Sequence, residues 1–315
     1  MRIVVTGADG QLGMELLPAL AGHAEVVSST IADLDITDPD CARRVAALRP
    51  DWVVHTAAAT DVDGCEREPE RAMAVNAEGT RRVAEGCRQI GAGMLYVSTD
   101  YVFDGRKGAP YVESDTPAPL NAYGQSKLEG ERWVQRLAPR WAIVRTAWLY
   151  GAHGKNFVKT ILGKATAGES LRVVDDQMGS PTYATDLAGA IALLVSQGHT
   201  GLYHVTNSGS CSWYEFTLEI LRLAGPAGSA VSRIASAQLN LPARRPAYSV
   251  LENAAWRAAG FPPLRSWREA LPDMLSALRA VNSSRSQGVK ESNSQMVKQS
   301  NGPGILNPQI DELTA

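Results

Sequence analysis

A chain of 315 residues with 31 lysines and arginines against 33 aspartates and glutamates carries a net charge of −2 and has an isoelectric point near 6.2, too little positive charge for gripping nucleic-acid phosphates. Hydrophobic residues at 44% and charged ones at 20% suffice for one large domain or two closely joined ones. The four cysteines, Cys41, Cys65, Cys87 and Cys211, form no CxxC pair, so neither a disulfide framework nor a zinc site is expected. No apolar run approaches the roughly 18 residues of a membrane span, and the strand-like start Met1-Arg2-Ile3-Val4-Val5 leaves no signal peptide ahead of it. A cytoplasmic protein with no nucleic-acid or membrane partner is expected.

Residues 3–6 read as a β-branched strand that stops at a glycine cluster, after which Leu12, Leu16, Leu17 and Leu20 trace a helical stripe. Strands follow at 25–28, 51–56, 93–98 and 141–146, separated by helices at 41–48, 69–90 and 122–137. Each strand is a short apolar run and each is followed by a helix. That alternation predicts an α/β fold, a Rossmann doubly wound parallel sheet covered on both faces. Further along, a helix over 157–167 and a strand at 171–174 precede a helix over 185–197 and a strand at 201–206 that returns to the sheet. The stretches 213–224, 234–238 and 245–278 then form a smaller, mixed C-terminal lobe above the carboxyl ends of the strands, where such sheets bind ligands. The expected division gives residues 1–165 and 183–206 to the dinucleotide-binding domain and residues 166–182 and 207–280 to a substrate-binding lobe. Residues 281–315, rich in Ser, Asn, Gln and Lys without apolar period, are expected to be a disordered polar tail.

Gly7-x-x-Gly10-x-x-Gly13 lies directly between a strand and a helix, the context in which glycines let the backbone approach a pyrophosphate held at the helix N-terminus. The second strand ends in Ser28-Ser29-Thr30. It offers no acid for a ribose 2′-hydroxyl and no arginine for a 2′-phosphate, so the cofactor is NADPH or NADH, with a lean to NADPH. Asp35, slightly further on, can approach the adenine or simply belong to a loop. Tyr123-x-x-x-Lys127 places a phenol and an ammonium on one helix face, and Thr99 ends the strand before it. An ammonium and an oxidised nicotinamide both favour phenolate, which draws the tyrosine from its pKa near 10 toward the working range. A hydroxyl at Thr99 can steady the substrate oxygen as it gains charge. An isolated tyrosine and lysine would merely share a helix. In order with the glycine loop and Thr99 they read as the proton donor and its partner in reduction of a keto group.

Thr6-Gly-Ala-Asp-Gly-Gln-Leu-Gly13, Ser98-Thr-Asp-Tyr-Val-Phe-Asp-Gly105, Tyr123-Gly-Gln-Ser-Lys127, Arg145-Thr-Ala-Trp-Leu-Tyr150, Asp176-Gln177-x-Gly179-x-Pro181-Thr182 and Arg245-Pro-x-x-Ser249-x-Leu251 run in family order from the start to about residue 278. Together they resemble the extended short-chain dehydrogenase/reductase superfamily and, within it, the dTDP-4-dehydrorhamnose reductases. The resemblance implies reduction of the 4-keto group of a dTDP-4-keto-6-deoxy sugar to give dTDP-L-rhamnose. Gly10, Gln11, Leu12, Asp35, Ile36, the Ala58-Ala59-Thr60 turn, Val97, Tyr123 and Lys127 would then contact the cofactor, beside Gly7 and Gly13 of the loop. Thr99, Asp100 and Trp148 would touch the sugar nucleotide, although Asp100 can equally cap a turn and Trp148 fill a core. Arg245, with Arg244 beside it, is the candidate for the diphosphate, since a guanidinium pairs with phosphate oxygens as a fork; Lys155 and Asn156 would add donors. The resemblance also brings in Mg2+ and a homodimer, which some relatives have, but no carboxylate cluster in the sequence is assigned to the metal. Two alternatives stay open: a 4-ketoreductase for another deoxysugar nucleotide, such as dihydrostreptose or an antibiotic sugar, and a non-catalytic NADP-binding regulatory subunit.

Overall fold

Strands whose residues are apolar on both faces need cover from both sides, and that requirement organises the molecule. The computed structural model describes residues 1–226 and 228–299. β1 (Arg2–Thr6) is buried from Ile3 onward, and α1 (Gln11–Ala21) returns Leu12, Leu16 and Leu20 to the core. β2 (Glu25–Ser29), α2 (Cys41–Ala47) and β3 (Trp52–His55) repeat the unit. A short helix that the sequence pattern does not reveal, α3 (Val62–Arg67), starts where the Asp61 side chain accepts from the Gly64 N–H. The single helix expected over 69–90 is instead α4 (Pro69–Met73), one wide π turn (Ala74–Gly79) and α5 (Thr80–Ile90). β4 (Gly93–Thr99), α6 (Ala122–Leu137) and β5 (Arg140–Thr146) follow. Asn121 caps α6 by accepting from the Gly124 N–H.

The second half holds β6 (Leu149–Tyr150), α7 (Phe157–Thr166), β7 (Leu171–Val174), β8 (Met178–Gly179), β9 (Thr182–Tyr183), α8 (Ala184–Ser196), β10 (Gly201–His204), β11 (Cys211–Ser212), α9 (Trp213–Ala224), β12 (Val231–Ile234), α10 (Ala254–Ala258) and α11 (Trp267–Gln299). The main sheet has the order β2-β1-β3-β4-β5-β10, and every pair in it is parallel. One face packs on α1 and α8, the other on α2, α5 and α6. This is the doubly wound Rossmann sheet. Its order reverses between β1 and β3, so the carboxyl ends of those strands diverge into a crevice.

The smaller lobe gathers two-stranded pairs (β7 with β12, β8 with β11, β6 with β9) and helices α7, α9 and α11. Its packing shifts two expected limits. α7 sends Val158, Ile161 and Ala165 into the lobe's core, although residues up to 165 were assigned to the sheet domain. Trp256 and Phe261 return to the sheet's core from a stretch assigned to the lobe. The polar tail expected from 281 is helical as far as Gln299. The helix is started by reciprocal bonds between Ser266 and Glu269; residues 300–315 of that expectation lie outside the described residues. Among the described residues no helix is long and apolar enough to cross a membrane.

Candidate active site

The glycine loop is shaped by two close approaches. Gly7 has φ +68°, and a Cβ there would lie 2.8 Å from the Ala57 backbone nitrogen; a Cβ on Gly13 would lie 2.2 Å from the Gly7 carbonyl oxygen. α1 has no side-chain cap, so its first N–H groups are left for an anion. The loop forms one end of a cavity of about 950 Å3. Gly7, Gly10, Gln11, Leu12, Gly13, Asp35, Ile36, Ala58, Thr60 and Val97 line it, as do Thr99, Asp100, Tyr123, Lys127 and Trp148. The carboxylate of Asp35 accepts from the N–H and hydroxyl of Thr37 at 2.8 and 2.7 Å, and those bonds hold it below the usual carboxylate range. Ala59 is not among the lining residues. Its N–H donates to Asn76 Oδ1 at 2.8 Å, and its carbonyl accepts from Asn76 Nδ2 at 3.0 Å. Asn76 sits in the π turn and also donates to the Ser126 hydroxyl, so it clamps the 58–60 turn from below. No sequence signal pointed to Asn76; Ser126 lies inside the Tyr123–Lys127 motif, which was the available signal.

Thr99 ends β4, Tyr123 stands in the first turn of α6, and Lys127 follows one turn later. Lys127 is 3% exposed; its ammonium donates to the Val97 carbonyl at 2.7 Å and lies 4.1 Å from the centre of the Tyr96 ring. Burial pulls this ammonium down to about 7, and Glu131 acts to raise it. The phenol of Tyr123 moves opposite to expectation. The protein packed around it pushes it above its ordinary value, against the pull of the Thr99 hydroxyl. Lys127 is bonded to a backbone carbonyl instead of lowering the phenol, because a buried ammonium takes the acceptor within reach. A protonated phenol is the form that donates. Behind them His55 bridges the Thr6 and Thr80 hydroxyls and is held neutral, burial having lowered it to about 3.

Asp100 is 3% exposed, and its Oδ1 accepts from the Thr99 hydroxyl at 3.1 Å. Burial lifts its carboxyl to about 7, while the Ser249 and Thr99 hydroxyls act to lower it. A folded value above the ordinary 3.8 means that the protonated form is favoured by the fold, so this contribution to stability is complete at low pH and is lost as pH rises through about 7. Asp100→Asn is therefore expected to flatten part of the pH dependence, removing roughly 3 kcal/mol of stability loss between about pH 5 and about pH 8. Urea unfolding of both proteins at the two pH values checks it; parallel profiles would reject the buried carboxyl.

Trp148 takes φ +47°, a backbone state that bulky residues rarely adopt, and its indole stacks on Trp213 with centroids 3.4 Å apart and planes 4° apart. Gly179 makes room for that ring, since a Cβ there would stand 2.2 Å from it. Both tryptophans line the main cavity, and Trp213 and Tyr101 also line an adjoining one of about 410 Å3. Neither Trp213 nor Tyr101 was singled out by sequence; Tyr101 lies inside the Ser98–Gly105 motif, which was the available signal.

Arg245 belongs to this second cavity. It is not a free cation: its two terminal nitrogens donate to the two carboxylate oxygens of Asp63 at 2.7 Å each, and the Ala243 N–H also donates to Asp63. Asn156 differs from its expected part as a substrate donor. Its carbonyl oxygen caps α7 and its amide donates to Gln11 and to the Gly151 carbonyl, which leaves the side chain committed to holding the loop. Lys155, by contrast, lines the main cavity. No group of three or more His, Cys, Asp or Glu side chains arranged to hold a metal occurs among the described residues.

A nucleotide-binding Rossmann sheet, a threonine, tyrosine and lysine on one wall and a separate lobe above them define an extended short-chain dehydrogenase/reductase. Residues 1–280 match the family model described as the RmlD substrate binding domain. The chain is 45% identical over 285 residues to the dTDP-4-dehydrorhamnose reductase of Streptomyces griseus, covering 88% of this chain and 94% of that protein. It is 43% identical over 285 residues to a probable dTDP-4,6-dihydroxy-2-methyloxan-3-one 4-ketoreductase of Streptomyces antibioticus, covering 88% and 97%. It is also similar to the crystal structure of a dTDP-4-dehydrorhamnose reductase from Bacillus anthracis in complex with NADP, with a TM-score of 0.82 and 40% identity over 87% of this chain and 98% of that one. The chain belongs to the dTDP-4-dehydrorhamnose reductase family and is an oxidoreductase.

Proposed function

We propose that this protein uses NADPH or NADH to reduce the 4-keto group of a dTDP-4-keto-6-deoxy sugar, dTDP-4-dehydrorhamnose to dTDP-L-rhamnose being the reading best supported. The observation that carries it is the placement of Thr99, Tyr123 and Lys127 on the same cavity as the glycine loop. The cradle fits a dinucleotide because the space at Gly7 and Gly13 admits no side chain. Gly10, Gln11 and Leu12 would hold its pyrophosphate, Asp35 and Ile36 its adenosine, and Val97, Tyr123 and Lys127 its nicotinamide half. The chemistry it supplies when bound is hydride delivery to the carbonyl carbon. Tyr123 Oη passes its proton to the carbonyl oxygen as negative charge builds there, Thr99 Oγ1 turns its hydrogen from Asp100 Oδ1 to donate to the same oxygen, and Lys127 Nζ supplies positive charge behind them. Asp100 and Trp148 would contact the sugar. The Ser28-Ser29-Thr30 end of β2 carries no acid, which favours NADPH.

Because the reacting groups recognise a ketone and not a whole sugar, a 4-keto group on another deoxysugar nucleotide is the second reading, favoured by the similarity to the Streptomyces antibioticus ketoreductase. Retention of all three reacting side chains speaks against a purely regulatory role. The test is loss of nicotinamide absorbance with dTDP-4-dehydrorhamnose made in place, with NADPH and NADH supplied separately. Formation of dTDP-rhamnose, faster with NADPH, is expected. Cofactor binding without turnover on this sugar would transfer the assignment to another 4-keto nucleotide.

A further inference from the structure

We propose that Glu131, joined to Arg145 and Ser98 beneath the active site, is a positioning residue that keeps Lys127 charged and in place; the inference rests on the reductase reading above. Glu131 stands one helical turn beyond Lys127 and two beyond Tyr123, so the three lie along one face of α6. Its Oε1 accepts from the Ser98 hydroxyl at 2.5 Å and from Arg145 Nε at 2.8 Å, and its Oε2 accepts from Arg145 Nη2 at 2.6 Å. Both charged side chains are 3% exposed. Ser98 and Arg145 face each other in register on β4 and β5. Ser98 itself lies between Val97, whose carbonyl holds the Lys127 ammonium, and Thr99. One carboxylate thus ties the helix bearing Tyr123 and Lys127 to the strand bearing Thr99 and the lysine's anchor.

Stability does not account for such a pair, since a buried ion pair is commonly replaced by apolar side chains at little or no cost. Its signs and placement do have a use. Lys127 is faced by the neutral His55 from β3, by Tyr96 and the Val97 carbonyl from β4, and by Glu131 from its own helix; Asp100 acts on Tyr123. Glu131 opposes the effect of burial on this ammonium, beside the Val97 carbonyl and the Tyr96 ring. Arg145, on the other side of the carboxylate and 5.2 Å from the centre of the Phe103 ring, fixes the carboxylate's orientation and would repel Lys127 if Glu131 were neutral.

The measurement is the titration midpoint of Lys127 itself, followed by NMR in full-length protein labelled at the lysine ε-carbon and saturated with NADP+, the resonance being assigned by its loss in Lys127→Arg. Glu131→Gln is expected to lower the midpoint by about one pH unit or more, a tenfold change in the ammonium-to-amine ratio, and Arg145→Met to raise it. Should Glu131→Gln not fold beside an unpaired arginine, its effect is read in the Arg145→Met background, where the pair is replaced by neutral side chains and the midpoint must again fall. The alkaline limb of turnover should move in the same directions. Midpoints that stay put while stability alone changes would overturn the proposal, as a purely structural pair would give that result. Absence of keto-sugar turnover in the unaltered protein would instead remove the reductase reading, and the midpoints would still decide the role of Glu131.

Discussion

Tyr123→Phe is expected to reduce turnover by about three orders of magnitude while leaving NADPH affinity nearly unchanged. The ring stays, and with it the edge-on packing against Tyr101 at 5.9 Å between centroids. What is lost is one hydroxyl, the group that burial keeps protonated and that the Thr99 hydroxyl lies against. Lys127 does not depend on that hydroxyl for its position, because its hydrogen bond goes to the Val97 carbonyl. The change therefore separates proton donation from cofactor binding. Turnover measured against a fluorescence titration with NADPH checks both halves, and a phenylalanine variant with near-normal turnover would require another proton donor.

Gly13→Ala is expected to have the largest effect on the cofactor cradle. The added carbon would stand 2.2 Å from the Gly7 carbonyl oxygen, 2.7 Å from Ala8 Cα and 2.8 Å from the Ala8 carbonyl carbon. All three are backbone atoms of the turn and cannot rotate away, so α1 must separate from β1. A loss of about 3 kcal/mol in stability and a fall in NADPH affinity of two orders of magnitude or so are expected. Gly22→Ala is the control, because nothing lies within 4 Å of its added carbon and its φ is −75°. Thermal melts and NADPH titrations of the pair would expose an error if both variants behaved alike.

The main sheet was legible because its inner strands, buried on two sides, are apolar runs that need no partner to be recognised. β6, β8, β9 and β11 were not, since two residues show no period and pair only through contacts set by distant segments. The break in the helix over 69–90 was equally silent: the π turn is shaped around Asn76, whose amide grips Ala59 on another loop. At the site, Gly7, Gly10, Gly13, Thr99, Tyr123 and Lys127 could be singled out because the roles proposed for them depend on local spacing, and the structure brings all six to one cavity. Arg245 shows the opposite case. Its charge was visible, but its partner Asp63 lies 182 positions away, so nothing in the sequence could say that the guanidinium was already engaged. Glu131 had one faint signal, its four-residue spacing from Lys127, which gains meaning only once Arg145 is seen to close the network.

The hydrophobic core of the smaller lobe is drawn from separated stretches: Tyr150 and Val158, then Leu171, Val173 and Tyr183, then Phe216 and Ile220, then Trp267, Leu271 and Met274. A growing polypeptide emerges from the ribosome amino end first. All six strands of the main sheet, through His204, are therefore synthesised before the segment that seals this second core exists. Most of the sheet's core is present by then, with Trp256 and Phe261 added later, whereas the lobe around Trp213 must wait for α11. Order of synthesis thus presents most of the sheet as a surface before the lobe's core can close.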